Sequence, residues 1–152
     1  QAHNPIYNDD IIYTPAVTVF KTDTEQPEIM DASAWYNVDV ITCAAPNLRV
    51  KNNYNGKSSY NNAKKMTNDE LLKLHEKRLK RILDTALSED DETIILGAFG
   101  CGAFMNDPQI VAQAAKNVIR EYLYSFKNIE FAVYCSPRDD RNYRIFDRVL
   151  KK

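Results

Sequence analysis

Glycine is scarce in this chain, four in 152 residues, and a sequence so poor in it places it where the backbone needs freedom. No apolar run approaches the roughly 20 residues of a membrane span, and no signal-peptide pattern starts the chain. Neither sign of charge dominates: 20 Lys and Arg against 21 Asp and Glu leave a net charge of −1. That balance removes any global electrostatic case for nucleic acid or an anionic membrane as a partner. Histidine is nearly absent, with only His3 and His75, and no metal cluster or cofactor is expected. Cys43, Cys101 and Cys135 are odd in number and lack metal-ligand spacing, so they read as free thiols in a reducing, cytoplasmic setting. An initiator methionine is also missing, since the chain opens at Gln1; a processed or trimmed polypeptide is the expectation.

Three of the four glycines, Gly97, Gly100 and Gly102, fall within six residues. An apolar run at 93–96 feeds them, and Asp107-Pro108 follows as an N-cap and a first helical residue. The stretch therefore reads as buried strand, glycine loop, helix. Free N–H groups and the helix dipole converge at such a junction, which suits an anion.

The remaining chain supports one domain over 1–152, with 44% hydrophobic residues to build a core. Residues 1–10 read as a loop or frayed end. The run 11–20 is β-branched and aromatic but interrupted by Pro15, so an edge strand or two short strands is expected. Residues 38–45 form a mostly apolar run ended by Pro46, a buried strand. The asparagine-rich 47–66 reads as a long surface loop. Thr67 and Glu70 make a capping box, and apolar spacing predicts a helix over 68–87. Its Lys73, Lys77, Arg78, Lys80 and Arg81 read as a solvated face, because no aromatic platform for bases accompanies them. A helix after Pro108 carries an apolar stripe to Phe126, 129–135 is a strand, and 142–150 a final helix. Strands alternating with helices predict an α/β fold with a largely parallel sheet. Ligands in such sheets bind beyond the carboxyl ends of the strands.

Known phosphate loops fail on spacing. Gly97, Gly100 and Gly102 give G-x-x-G-x-G rather than G-x-G-x-x-G, and Glu121 lies mid-helix where an acidic strand end is required. No Gly-Lys-Ser/Thr follows. What remains is a lysine-free backbone cradle suited to a diphosphate, flanked by Phe99 and Phe104. The bland alternative is a strand–helix turn that uses glycine for packing. Cys101 lacks a base or an electropositive setting and reads as a small buried thiol, not a nucleophile.

The segments 82–86 (Ile-Leu-Asp-Thr-Ala) and 94–108 (Ile-Ile-Leu-Gly-Ala-Phe-Gly-Cys-Gly-Ala-Phe-Met-Asn-Asp-Pro) closely resemble the bacterial-type poly(ADP-ribose) glycohydrolases, a macrodomain branch. Supporting matches at 12–20, 40–47, 131–134 and 142–146 run along nearly the whole chain in the family's order. The resemblance implies a three-layer α/β/α macrodomain, with a mixed, largely parallel sheet incomplete at one side. It implies ADP-ribose, alone or as polymer on modified proteins, as the ligand. The loop matching Gly100, Cys101, Gly102, Ala103 and Phe104 would wrap the diphosphate, with Phe104 on the ribose beside the cleaved bond. Asn47 would lie at a strand end facing the cleft, and 136–138 toward the adenine.

One departure is plain. The family's triple glycine and Gln-Glu-Glu run have no counterpart, for the sequence holds no Gly-Gly-Gly and no Glu-Glu. Cleavage of a ribose–ribose bond needs a carboxylic acid near the leaving oxygen. The resemblance therefore implies no catalytic residue within this chain, and an amino-terminal fragment of the same protein as its partner. A non-catalytic module that binds ADP-ribose is the alternative, and a purely structural loop the third.

Overall fold

The computed structural model describes residues 6–49 and 66–151. The expected surface loop 47–66 falls largely outside them, as do His3 and the first half of the expected amino-terminal loop. The elements run β1 (Ile11–Val19), a 3-10 turn (Ala32–Ala34), β2 (Tyr36–Cys43), α1 (Asn68–Ser88), β3 (Thr93–Leu96), α2 (Pro108–Ile119), β4 (Asn128–Phe131) and α3 (Arg141–Leu150).

Local chemistry sets the boundaries. Thr67 accepts from the Glu70 N–H while the Glu70 side chain accepts from the Thr67 N–H, so the capping box satisfies orphan donors at both ends of the α1 entry. Asp107 accepts from the Gln109 N–H at 2.9 Å, with Pro108 at the first helical position. Pro15 does not break β1. It is absorbed by a register shift between Thr14 and Val17, with Ala16 at φ 55° and its N–H donating to Asp39 at 2.6 Å. β1 is an edge strand, as expected, paired to β2 alone. α2 ends at Ile119, earlier than its apolar stripe, and a run of turns carries Tyr122 and Phe126 into the core.

Two findings depart from the expected sheet. β1 and β2 pair antiparallel, and only β3 and β4 are parallel, in two separate two-stranded sheets. Among the described residues, moreover, the helices all pack on one face. Ile94 and Leu96 of β3 join Ile82, Leu83 and Ala86 of α1 and Val118 of α2, with Ile41, Cys43 and Ile129 against them. Phe131 packs between that cluster and a second one formed by Val111, Ala112, Phe146 and Val149. The alternate residues point the other way and stay exposed, Ile12 at 64% and Ile95 at 66%. Most of β2 is consequently exposed instead of buried. Among the described residues no strand joins the two pairs.

Arg78 corrects the solvated-face reading of α1. It is 1% exposed, and donates to Asp9 at 3.1 Å, to the Ala44 carbonyl at 2.9 Å and to the Ile6 carbonyl at 2.7 Å. A guanidinium can be buried when its donors are satisfied and a carboxylate balances it. Lys77 and Lys80 remain exposed and pair with Asp9 and Glu121. Among the described residues no helix is long and apolar enough to cross a membrane.

Candidate functional site

The glycine loop leaves β3 at its carboxyl end and folds into successive turns. Cys101 N–H donates to Ala98, Met105 N–H to Gly102, and Asn106 N–H to Gly100. The segment after β2 lies along it: Leu48 N–H donates to the Phe104 carbonyl at 2.9 Å, and Arg49 Nε to the Ala103 carbonyl at 3.0 Å. A trans peptide sets each carbonyl opposite the following N–H. Engaging the carbonyls of Gly102 and Ala103 on the protein side therefore turns the N–H groups of Ala103 and Phe104 away from it. Among the described residues, the N–H groups of Gly100, Gly102, Ala103 and Phe104 donate to no protein acceptor. Convergent free donors of this kind form an anion cradle.

The glycines divide by role. Gly100 sits at φ +76°, and a Cβ there would lie 2.5 Å from Asn106 Nδ2 and 2.7 Å from Ala45 Cβ. It is required by the fold. A Cβ on Gly102 meets nothing within 4 Å. Packing gives no reason for glycine at 102, whereas a ligand drawn close to the backbone does. Gly97 has ordinary space, its Cβ position 3.8 Å from the Ala132 carbonyl.

Asn106 is the keystone beneath the loop. It is 2% exposed; its Nδ2 donates to the Pro46 carbonyl at 2.8 Å and the Gly100 carbonyl at 3.0 Å. Its Oδ1 stands 2.9 Å from His75 Nε2. His75, 2% exposed, meets Phe99 edge-on at 5.8 Å. Burial pulls the His75 pKa below its ordinary value, against the opposing effect of Asn106, so the ring is neutral. The thiol of Cys101 is pushed up to about 12 by burial and by Asp107, which excludes it as a thiolate nucleophile.

Of the residues expected in the site, Gly100 through Phe104 stand together in the loop, and Asn47 lies beside them on the strand-end segment. Asn47 Oδ1 accepts from Arg49 N–H at 3.1 Å, which orients that segment. The 136–138 turn is closed by Ser136 and Asp139 pairing with each other, and no hydrogen bond among the described residues ties it to the loop. Four residues of the site were not singled out from sequence: Tyr7, Arg49, His75 and Asn106. Tyr7 stacks on Phe104 with ring centres 6.0 Å apart and planes at 28°. Arg49 ties the segment after β2 to the loop through the Ala103 carbonyl. Asn106 could have been found as a buried-type amide inside a glycine loop; Tyr7 carried no local signal.

A carboxyl pair occurs elsewhere. Asp39 and Asp91 are close enough for each to shift the other's ionisation. Tyr13 and the Ala16 N–H hold Asp39 below the usual range, while burial, then Asp39 and Glu89, raise Asp91. Asp91 precedes β3, however, and the glycine loop follows it, so a strand of about 13 Å separates the pair from the cradle. It is not placed to act on a ligand held there.

An α/β chain with this loop at a strand end is similar to the bacterial poly(ADP-ribose) glycohydrolases. The crystal structure of that enzyme from Deinococcus radiodurans in complex with ADP-ribose matches at a TM-score of 0.80 and 28% identity, over 99% of this chain and 56% of the other. Its apo form matches at 0.78 and 28% identity, over 99% and 57%. The enzyme from Thermomonospora curvata matches at 0.77 and 27%, over 97% and 50%. This chain thus spans about half the length of the structures it matches. No family model matches it, and neither does any curated protein sequence.

Proposed function

We propose that this chain is the ADP-ribose-binding part of a poly(ADP-ribose) glycohydrolase-type enzyme, with the catalytic carboxylates on a segment outside its 152 residues. The observation that carries the reading is the cradle: four N–H groups with no acceptor among the described residues, around a glycine with open space above it, at the strand end. Each N–H donated to a phosphate oxygen is worth roughly 1.5–3 kcal/mol. The Tyr7–Phe104 stack offers an apolar surface to a ribose. The similarity to enzymes crystallised with ADP-ribose supplies the ligand.

The reading extends to architecture. The whole of 1–152 is one partial macrodomain, and a companion amino-terminal segment completes its sheet and supplies helices for the bare face, giving three layers. ADP-ribose polymer on modified proteins is the substrate, and the free thiols suit a cytoplasmic setting. With no catalytic carboxylate beside the cradle, the chain alone binds without cutting. Calorimetry with ADP-ribose tests this. Binding is expected for the chain, with at least about a tenfold loss for Gly102→Val, and no release of ADP-ribose from polymer until the companion segment is added. Absence of binding, or equal affinity in the Gly102 variant, removes the cradle. Binding with no turnover even in the full-length protein moves the reading to a non-catalytic module.

A further inference from the structure

Phe104 is half-buried and belongs to neither core cluster. Its backbone is pinned, because its carbonyl accepts from Leu48 N–H at 2.9 Å. Among the described residues its ring has one aromatic neighbour, Tyr7, stacked with centres 6.0 Å apart and planes at 28°. An aromatic ring offers two faces to its surroundings, and Tyr7 takes one of them.

Tyr7 is itself held in an unfavourable backbone conformation. Its φ is 59°, in the left-handed region that a bulky side chain rarely adopts. The restraint acts from both sides of it. Arg78, 1% exposed, donates to the Ile6 carbonyl at 2.7 Å and to Asp9 at 3.1 Å. One guanidinium thus grips the residue before Tyr7 and the second residue after it. Its third bond, 2.9 Å to the Ala44 carbonyl, anchors that grip to the segment leaving β2, which also carries Leu48. Tyr7 remains 38% exposed, so burial of its own ring does not account for the strained backbone. Strain of this kind persists only where the surroundings impose it, and it gathers at ligand-binding positions. What it secures here is the contact between the Tyr7 ring and Phe104.

We propose that Tyr7 is a positioning residue that sets ligand selectivity through Phe104. The Tyr7 ring fixes Phe104 from one face, and the opposite face of Phe104 packs on the sugar beyond the diphosphate. A side chain already locked by its neighbours loses little freedom on binding, so the distal ribose meets a preformed surface. The diphosphate is held by backbone N–H groups and gains nothing from Tyr7. Tyr7 therefore favours ADP-ribose, which carries that sugar, over ADP, which lacks it. The inference rests on the reading of the loop as an ADP-ribose cradle and extends it from the diphosphate to the sugar beyond.

Calorimetry with ADP-ribose and with ADP on Tyr7→Ala and Tyr7→Phe tests it, with selectivity as the readout. Tyr7→Ala weakens ADP-ribose by about fivefold or more and ADP by less than about twofold. Tyr7→Phe keeps the ring and holds both affinities within about twofold of the wild type. In aromatic NMR the Phe104 ring protons move downfield in Tyr7→Ala, as the ring current beside them is lost, and stay in place in Tyr7→Phe. Equal weakening of the two ligands in Tyr7→Ala means that the residue only supports the loop, and the proposal falls. It falls too if Tyr7→Phe loses as much as Tyr7→Ala, or if the Phe104 resonances do not move. Both ligands bound by the wild type, with an unaltered ratio in Tyr7→Ala, reject the role of Tyr7 only. Neither ligand bound by the wild type rejects the cradle, and this role with it.

Discussion

Gly100 and Gly102 are two residues apart and under different constraints, which single substitutions separate. Alanine at 100 must accept a left-handed backbone and a 2.5 Å approach to Asn106 Nδ2, so about 2 kcal/mol or more of stability is lost. Alanine at 102 enters open space and changes the unfolding free energy read from urea denaturation by about 0.5 kcal/mol or less. Equal losses at the two positions contradict this division. Asn106→Ala strips the Pro46 and Gly100 carbonyls and His75 Nε2 of their partner at once, and about 3 kcal/mol is expected. His75 adds a pH dependence. Its folded pKa lies below the unfolded value, so the unfolded chain takes up the proton first as pH falls. Stability is full above about pH 6.5 and declines below it, by up to about 1.4 kcal/mol per pH unit. His75→Phe should flatten the melting temperature between pH 7.5 and 5.0; an unchanged slope assigns the effect to other groups. The loop was legible because glycine is so rare here. The division between Gly100 and Gly102 was not, since it depends on Asn106 and Ala45, which only the fold brings to 100.

At the scale of elements, periodicity and capping located α1, β3 and the start of α2 almost to the residue, because these signals are local. Arg78 escaped, since a basic residue among Lys73, Lys77 and Lys80 looks solvated until Asp9 and two carbonyls are found around it. It ties the segment carrying Tyr7, the end of β2 and α1 into one unit, and so holds Tyr7 over Phe104. Arg78→Met removes the guanidinium's bonds to the Ala44 and Ile6 carbonyls and leaves Asp9 with Lys77 as its ion-pair partner, and about 3 kcal/mol of stability is expected to go. The residues around 6–10 should become the first site of limited proteolysis. Cleavage first at another loop shows that this segment is held by something else. Strand partners were the least legible feature: β1 and β2 read correctly as strands, but nothing in either specifies an antiparallel hairpin across sixteen intervening residues.

For the whole molecule, one fact organises the rest: among the described residues a single helical layer covers one face of two short sheets, and the opposite face is bare. A soluble chain normally presents polar residues on an open sheet face. Here Ile12 is 64% exposed, Ile95 66% and Tyr134 86%, with Val38 and Val40 between them on β2. Such a face costs solubility, because apolar surface and unpaired edges invite association between copies. It does not contribute to the core on the helical side, where Ile94, Leu96 and Ile41 already pack. The double substitution Ile12→Thr and Ile95→Thr keeps β propensity while removing apolar area from solvent. It should raise the soluble fraction of the isolated chain and change the unfolding free energy read from urea denaturation by about 0.5 kcal/mol or less. A loss above about 1 kcal/mol means that these side chains are already covered in the isolated chain. In that case the helices on one face are not the molecule's only packing layer.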